Sequence, residues 1–210
     1  MRGRRGAKLK RASRRTQEQR RRETQKSVLE AAMTVLIHDG YEKFTTIRVA
    51  ETAGISRGAQ ENYFRTKNDL IVAATRYTLM RAAEQARALA SRNGPSSDPV
   101  ERFLANSKSF FFSPTYLALM EIVAVARRNS ELAKVNTPVV RQFRNILNTI
   151  WIDALCEAGY ERASVKSFIK MTHYLLRGMA FASVFQPGRS EYSKMIDDWR
   201  RIASREMKRK

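Results

Sequence analysis

Apolar residues recur every three or four positions through most of this sequence, which is the period of an α-helix. Longer helical patterns cover residues 16–39, 67–91, 99–112, 115–128, 130–159, 163–185 and 190–208. The first pattern ends at Gly40, and Pro138 either kinks the fifth or restarts it. With the two short helices described next, the pattern predicts an all-α protein of about nine helices.

Capping and turn residues divide residues 45–70 into two short helices and the start of a third. Thr45 or Thr46 can cap the first helix, because a hydroxyl oxygen accepts from an otherwise unpaired first-turn N–H. Gly54 permits the left-handed backbone that ends this helix, and Ser56 can cap the second. The two short helices are therefore expected to be joined by a tight turn.

The third helix of this stretch is predicted to begin at Lys67, since Thr66 and Asp69 have the spacing of a capping box. A short helix, a glycine turn and a second short helix form the helix-turn-helix arrangement, in which the second helix enters the major groove of DNA. This stretch therefore indicates a DNA-binding protein.

The same residues resemble the tetracycline-repressor (TetR) family of bacterial transcription regulators. The resemblance runs from about Thr24 and is carried by His38-Asp39-Gly40, Tyr41, Phe44-Thr45-Thr46, Ile55-Ser56-Arg57-Gly58-Ala59, Tyr63-Phe64 and Thr66-Lys67-Asn68-Asp69-Leu70. It implies an all-α homodimer with an N-terminal DNA-binding domain of three helices. The larger C-terminal domain of this family usually holds an effector ligand and supplies the dimer interface.

Residue types in the helix-turn-helix suggest individual DNA contacts. Arg57 can bind a guanine edge or a phosphate, and Asn62 can pair with adenine or a phosphate. Small residues in the second helix permit close approach to the groove floor, and the matching family positions most support phosphate contacts by Thr46, Tyr63 and Lys67. The predicted DNA-binding residues are Thr45, Thr46, Ser56, Arg57, Gly58, Ala59, Asn62, Tyr63 and Lys67.

Glu61 departs from the family pattern, which often has an aromatic or apolar residue at this position. Its carboxylate either accepts a hydrogen bond from a cytosine amino group or turns away to pair with Arg57 or Arg65. The neighbouring Gln60 can face either the groove or the core.

The charge of the chain supports a polyanionic partner, because the formal net charge is +20 and the pI is about 10.8. Residues 1–26 contain twelve basic and two acidic residues, whereas residues 27–70 contain five basic and six acidic residues. Residues 1–15 are therefore predicted to be a disordered basic arm that reaches the minor groove or the phosphates. The alternative is a solvated tail that only aids solubility.

The C-terminal helices are assigned from the resemblance together with their apolar pattern. The last two helices are expected to pair with their symmetry mates in a four-helix dimer interface. The predicted interface residues are Phe168, Leu175, Leu176, Tyr192, Met195, Ile196 and Trp199. The predicted effector pocket comprises Phe110, Phe111, Tyr116, Met120, Phe143, Leu147, Trp151, His173 and Met179. This lining suggests a hydrophobic or aromatic effector.

Other classes of protein have little support. The chain has two histidines and shows no metal-ligand cluster, nucleophile elbow or phosphate-cradling glycine loop, so we expect neither an enzyme nor a metal or other cofactor. A single cysteine fits a reducing compartment. No apolar run is long enough to span a bilayer, so the expected location is the bacterial cytoplasm, at the nucleoid, with no membrane partner.

These observations predict a homodimeric, sequence-specific transcription regulator, a repressor released from a pseudo-palindromic operator by a hydrophobic small molecule. Residues 1–15 would form the arm, residues 16–66 the DNA-binding domain, and residues 67–210 the effector and dimerisation domain. The alternative keeps the fold but controls DNA binding by protein abundance or by a protein partner. A peripheral protein on anionic membranes is disfavoured because the arm lacks a bulky apolar face.

Overall fold

The computed structural model describes residues 16–91, 98–185 and 189–209, and the predicted arm lies outside these residues. Within the described ranges the protein consists of nine α-helices, and the only β-type pairing is an isolated bridge between Tyr160 and Arg209. The all-α prediction is therefore confirmed. The helices are α1 (Gln17–Lys43), α2 (Thr46–Ala53), α3 (Arg57–Glu61), α4 (Lys67–Ala90), α5 (Pro99–Phe111), α6 (Pro114–Ala126), α7 (Ser130–Glu157), α8 (Arg162–Ala182) and α9 (Arg189–Glu206).

Local capping chemistry fixes the ends of the short helices. Thr45 caps α2 and Ser56 caps α3, each hydroxyl oxygen accepting from a first-turn N–H. Gly54 ends α2 in the left-handed region, with φ of 68°. The capping box of Thr66 and Asp69 begins α4. The predicted helix-turn-helix is therefore present, and the earlier of the two candidate threonines provides its first cap.

Two longer helices contain a residue that often breaks a helix. Gly40 has φ of 73° and ψ of 176°, so α1 bends there and its last turn leads directly to α2. In contrast, α7 continues through Pro138 as one helix. The predicted stop at Gly40 is thus a sharp bend. Of the two alternatives at Pro138, a kink or a restart, the restart does not occur.

A continuous hydrophobic core joins the first three helices to the others. Val28 of α1, Phe44 before α2 and Leu70 of α4 belong to the same buried cluster as Ile122 and Trp151 of the later helices. Helix α1 packs against both α4 and α6 and also against α2, so the helix-turn-helix is connected to the later helices through α1. A movement of these helices therefore reaches the helix-turn-helix through packed side chains.

At the centre of the later helices, three aromatic rings meet edge to face. The ring centroid of Phe103 lies 5.5 Å from that of Trp151 and 5.2 Å from that of Phe168. These residues are almost completely buried. Such contacts add to the area that the rings bury. They hold α5, α7 and α8 together.

Among the described helices, none alone is long and apolar enough to cross a membrane. Only α5 and α6 taken together have the required length and composition, and these two helices are bent by 61° relative to each other.

Candidate functional site

The second helix of the helix-turn-helix presents a short polar surface to solvent. Ser56, Arg57 and Gly58 are exposed at its start, and Asn62 is exposed at its end. Gln60 points the other way, since it is fully buried and its Nε2 donates to the Phe64 carbonyl at 3.0 Å. The open question about Gln60 is thus settled in favour of the core.

Glu61 lies in an ion pair with Arg57, whose Nε donates to the Glu61 Oε1 at 2.7 Å. Of the alternatives for Glu61, the structure therefore contains the pair with Arg57. Both side chains are largely exposed, so water screens the pair and it contributes little to stability. Its main effect is to hold the guanidinium of Arg57 against a carboxylate on the exposed face of α3.

The hydroxyl groups at the helix starts keep a donor available. Thr45 Oγ1 accepts from the Arg48 N–H at 3.1 Å, and Ser56 Oγ accepts from the Ala59 N–H at 3.2 Å. Because a hydroxyl that accepts in this way retains its own proton, both groups can still donate to a phosphate oxygen. Thr46 and Tyr63 are half-buried beside them.

The backbone of Tyr41 is held from two sides, by an arrangement that we call the Tyr41 clamp. Its N–H donates to Glu121 Oε1 of α6 at 2.8 Å, and its carbonyl accepts from Lys67 Nζ of α4 at 2.7 Å. The same ammonium lies 4.0 Å from the centroid of the Tyr41 ring. The clamp joins the end of α1, which leads into the helix-turn-helix, to both α4 and α6.

The environment of Lys67 differs from that of a free surface lysine. Burial lowers the pKa of its ammonium, and the nearby Glu42 and Glu121 carboxylates oppose that shift. One of its N–H groups is occupied by the Tyr41 carbonyl. Lys67 thus serves the packing of α1 on α4 first, and only its remaining N–H groups are available for the predicted phosphate contact.

A cavity of about 400 Å3 lies where α1, α4, α5 and α7 meet, and we call it the aromatic cavity. Four residues of the predicted effector pocket line it, namely Phe110, Phe111, Phe143 and Leu147. Met33 and Ile37 of α1 extend its apolar wall. A ligand in this cavity would therefore touch the helix that leads into the helix-turn-helix.

A polar cluster forms one edge of the aromatic cavity. Tyr77 Oη donates to Glu30 Oε1 at 2.8 Å, and Arg81 Nη1 donates to the same oxygen at 3.0 Å. Glu30 belongs to α1, and its two partners belong to α4. A ligand with a polar group could exchange partners with this cluster and so alter the contact between the two helices.

The remaining predicted pocket residues require correction. Trp151 and Met179 are buried in the core, and Tyr116 packs with Phe111 in a second cluster. Met120 also packs against that second cluster and does not line the aromatic cavity. These side chains pack between helices and do not line the aromatic cavity.

His173 lies in a different depression, between α7 and α8. Its side chain is only 8% exposed, and burial together with the charge of Arg177 lowers its pKa to about 4. The imidazole is therefore neutral at physiological pH.

Four of the predicted interface residues are buried within the protomer and are core residues instead. They are Phe168, Leu176, Tyr192 and Ile196. Leu175 and Trp199 are half-buried, and Trp199 Nε1 donates to Thr172 Oγ1 at 2.8 Å. Of the predicted set, only Met195 is well exposed, at 40%.

A different stripe of α8 and the residues after it is open to solvent. It consists of Met171, Tyr174, Phe181, Val184 and Phe185, and we call it the exposed apolar stripe. Phe181 is 64% exposed and Phe185 is 72% exposed. The sequence carries a signal for it, since these residues follow helical spacing on the side of α8 opposite the buried one.

In the described part of the chain, no group of three or more histidine, cysteine, aspartate or glutamate residues is placed to hold a metal ion. The features that stand out are the exposed face of α3, the Tyr41 clamp, the aromatic cavity and the exposed apolar stripe.

Comparison with known proteins places these features in a family context. Residues 28–74 match the family described as bacterial regulatory proteins, tetR family. The chain is similar to the HTH-type transcriptional regulator CymR of Pseudomonas putida, with 27% identity over 190 residues that cover 90% of this chain and 94% of that protein.

Solved structures share the fold at lower identity. A TetR transcription regulator from Haloarcula marismortui has a TM-score of 0.67 and 18% identity, covering 89% of this chain and all (100%) of that one. A chain from Saccharomonospora viridis, described as a transcriptional regulator in complex with choline, has a TM-score of 0.67 and 13% identity, covering 89% of this chain and 98% of that one. The predicted combination of an N-terminal helix-turn-helix and a C-terminal helical region is thus confirmed.

Proposed function

Because the chain is a DNA-binding transcriptional regulator of the TetR family, which is not enzymatic, we propose that it is a homodimeric repressor released from its operator by a largely apolar effector. Residues 16–66 bind DNA, residues 67–210 bind the effector and form the dimer, and the protein acts on the bacterial nucleoid in the cytoplasm. The observation that carries the proposal is the aromatic cavity, because α1 forms part of its wall and also leads into the helix-turn-helix.

DNA recognition rests on the exposed face of α3. Arg57 and Asn62 are the candidates for base contacts, and the capped helix starts at Thr45 and Ser56 supply donors for phosphates. Two copies of this helix, separated by about one turn of DNA, bind the two halves of a pseudo-palindrome.

Effector binding is assigned to the aromatic cavity. Its volume of about 400 Å3 lies within the range of roughly 300–1,000 Å3 typical of small-molecule sites. Its wall is aromatic and aliphatic, with Glu30, Tyr77 and Arg81 as polar partners at the edge. The choline complex of a protein with the same fold supports the view that such a domain can hold a small molecule.

Release from DNA follows if the effector binds more tightly to a protomer shape that cannot fit the operator. A ligand that separates Glu30 from its partners on α4 would shift α1 relative to α4, and the Tyr41 clamp would pass that shift to α2 and α3. The size of the response is limited by the difference between the effector's affinities for the two shapes.

Fluorescence anisotropy tests the core of the proposal. The purified protein is titrated onto DNA from upstream of its own gene and onto a shuffled duplex of equal length, at near-physiological salt. We expect two protomers to bind the upstream DNA at least about 100-fold more tightly than the shuffled DNA. Equal, salt-sensitive binding to both duplexes would count against sequence-specific repression of that gene.

The Glu61→Gln variant should bind DNA about fivefold more tightly, whatever its sequence. Removing the carboxylate takes a negative charge away from the phosphates, which corresponds to roughly 1 kcal/mol for a partly solvated charge. Anisotropy on operator and shuffled duplexes measures the effect, with Glu84→Gln on the exposed part of α4 as the matched control. A selective loss of affinity for one base pair would instead show that Glu61 reads a cytosine.

The Glu121→Ala variant should expose the Tyr41 amide to solvent exchange. Without the carboxylate, this N–H loses its partner, and we expect its hydrogen exchange to become about tenfold faster, which corresponds to roughly 1.4 kcal/mol. Glu121→Gln keeps an acceptor oxygen and should stay within about threefold of the wild type. Equal exchange rates in all three proteins would show that the clamp does not restrain the end of α1.

A further inference from the structure

Gly178 lies inside α8, at a position where the backbone does not require a glycine. The helix continues through Gly178 to Ala182, and Gly178 is not one of the described glycines with a positive φ, which are Gly40, Gly54 and Gly159. A glycine inside a helix destabilises it relative to alanine, because the glycine backbone loses more freedom on folding. Helix α8 thus carries a destabilising residue without a conformational reason.

Packing within the protomer does not require this glycine either. A Cβ at Gly178 would meet no atom of the described residues within 4 Å. Gly40 differs, because a Cβ there would press on the Glu121 carboxylate. An alanine at position 178 would therefore fit the single protomer and favour the helix. The missing side chain points to a contact outside the protomer.

Gly178 lies in the middle of the exposed apolar stripe. Met171, Tyr174, Gly178 and Phe181 follow one another at intervals of three, four and three residues, so they share one face of α8. Phe185 follows the helix, and its ring centroid lies 5.5 Å from that of Phe181. Large exposed side chains therefore flank, on both sides, a position that has no side chain.

A second copy of this chain fits the stripe. TetR-family regulators bind DNA as dimers, and in a two-fold interface both protomers contribute the same surface patch. Helix α9 packs against α8 and exposes Met195 and Ile202, which are seven positions apart and so lie on one side of α9. The last two helices thus both leave apolar surface for a partner.

The distance between two packed helices depends on the side chains at their contact, so a glycine there permits a closer approach. We propose that α8 crosses its symmetry mate at Gly178, and that this glycine sets the distance between the two protomers. Gly178 is then a positioning residue for DNA recognition, because the two α3 helices must lie about one turn of DNA apart. This inference rests on the proposed homodimer and adds the residue at which its halves meet.

Disulfide cross-linking tests where the helices cross. The full-length Cys156→Ser protein lacks the only native cysteine and serves as the background. One new cysteine is introduced by Gly178→Cys, by Met171→Cys, or by Leu117→Cys on the exposed side of α6 as the control. A disulfide requires two Cα atoms about 4.4–6.8 Å apart, and helices that cross diverge away from the crossing point.

Mild oxidation should link most of the Gly178→Cys protein into covalent dimers. Met171→Cys, at about 10 Å along the helix axis, should link at least about tenfold more slowly, and Leu117→Cys should not link. The proposal fails if Gly178→Cys links no faster than Leu117→Cys. Sedimentation equilibrium of the Cys156→Ser protein separates the two possible failures: a monomer refutes the proposed homodimer, whereas a dimer that does not link refutes only the crossing point.

Larger side chains at position 178 test the close approach. Gly178→Ala and Gly178→Leu both favour the helix, so a role confined to the protomer predicts unchanged dimerisation. Overpacking at a crossing predicts that the dimer Kd rises at least about tenfold for alanine and about 100-fold for leucine. Operator affinity should fall in the same order.

Ala88→Leu is the matched control for the leucine variant, because Ala88 is exposed on α4 and the change adds a side chain of the same kind away from α8. Sedimentation equilibrium measures the dimer Kd of each protein. The control should dimerise like the wild type. If Gly178→Leu dimerises as tightly as Ala88→Leu, no close approach occurs at Gly178 and the proposal is refuted.

Discussion

Replacement of both Phe181 and Phe185 by lysine should make the protein monomeric and lower its operator affinity at least about 100-fold. These rings are the most exposed large apolar side chains of the described residues, and they lie on the exposed apolar stripe of α8 and the residues after it. A patch of this kind usually marks a protein contact. Four lysines in a two-fold interface would place like charges in an apolar contact, which is costly.

The loss of affinity follows from the loss of linkage between two recognition helices. Once one helix of a dimer is bound, the second binds at a high effective concentration, which typically strengthens binding by about 100- to 10,000-fold. Sedimentation equilibrium measures the oligomeric state, and anisotropy measures operator affinity. Leu117→Lys with Val123→Lys is the matched control, since both residues are exposed apolar positions on α6. A dimer that survives the α8 change would show that the interface lies elsewhere.

Deletion of residues 1–15 should lower DNA affinity by about 10- to 100-fold near physiological salt and flatten its salt dependence. The deleted segment carries eight lysines and arginines. Each phosphate that a cation neutralises contributes about 0.9 to the slope of log affinity against log salt, so even two contacts per protomer lower the slope of a dimer by about 4. Operator and shuffled duplexes should be affected alike, because phosphates carry no sequence information.

A second variant separates charge from chain length in this experiment. It keeps all 15 residues but replaces the eight basic residues with glutamine, and it should behave like the deletion. If the deletion and this variant both keep the slope of the full-length protein, the arm is a solubility tail and the DNA attraction comes from the folded part.

Local chemistry explains why the helix ends could be predicted from the sequence. The caps at Thr45, Ser56 and Thr66, and the left-handed Gly54, act through atoms only a few residues away. The position of the helix-turn-helix therefore depends on information contained in one short stretch. The ion pair between Arg57 and Glu61 is also local, since these residues are one helical turn apart, but the sequence left it as one alternative beside a contact to cytosine.

Tertiary packing determined the features that the sequence left open or gave wrongly. Phe143, Leu147 and Trp151 lie on one stripe of α7, yet the first two line the aromatic cavity and the third is buried against Phe103. Periodicity identifies the stripe but not which part of it a neighbouring helix covers. The hydrogen bond of the Lys67 ammonium likewise depends on the Tyr41 carbonyl, which lies 26 residues earlier in the chain.

The choice of interface residues on α8 failed for a related reason. That helix is apolar on more than one side, and Phe168 and Leu176 belong to the side that covers α5 and α7, whereas Phe181 belongs to the side that is open. A sequence pattern shows that two apolar sides exist. Only the packed protomer shows which of them remains uncovered.

The Tyr41 clamp determines which amino-acid changes the junction between α1 and α2 can tolerate. Both hydrogen bonds are made by backbone atoms of Tyr41. A different side chain at this position would therefore leave both bonds in place. Gly40 has no such freedom, because its φ is positive and a Cβ there would lie 3.2 Å from a carboxylate oxygen of Glu121. The junction between α1 and α2 thus depends on the backbone of Tyr41, on Glu121 and Lys67, and on the glycine at position 40.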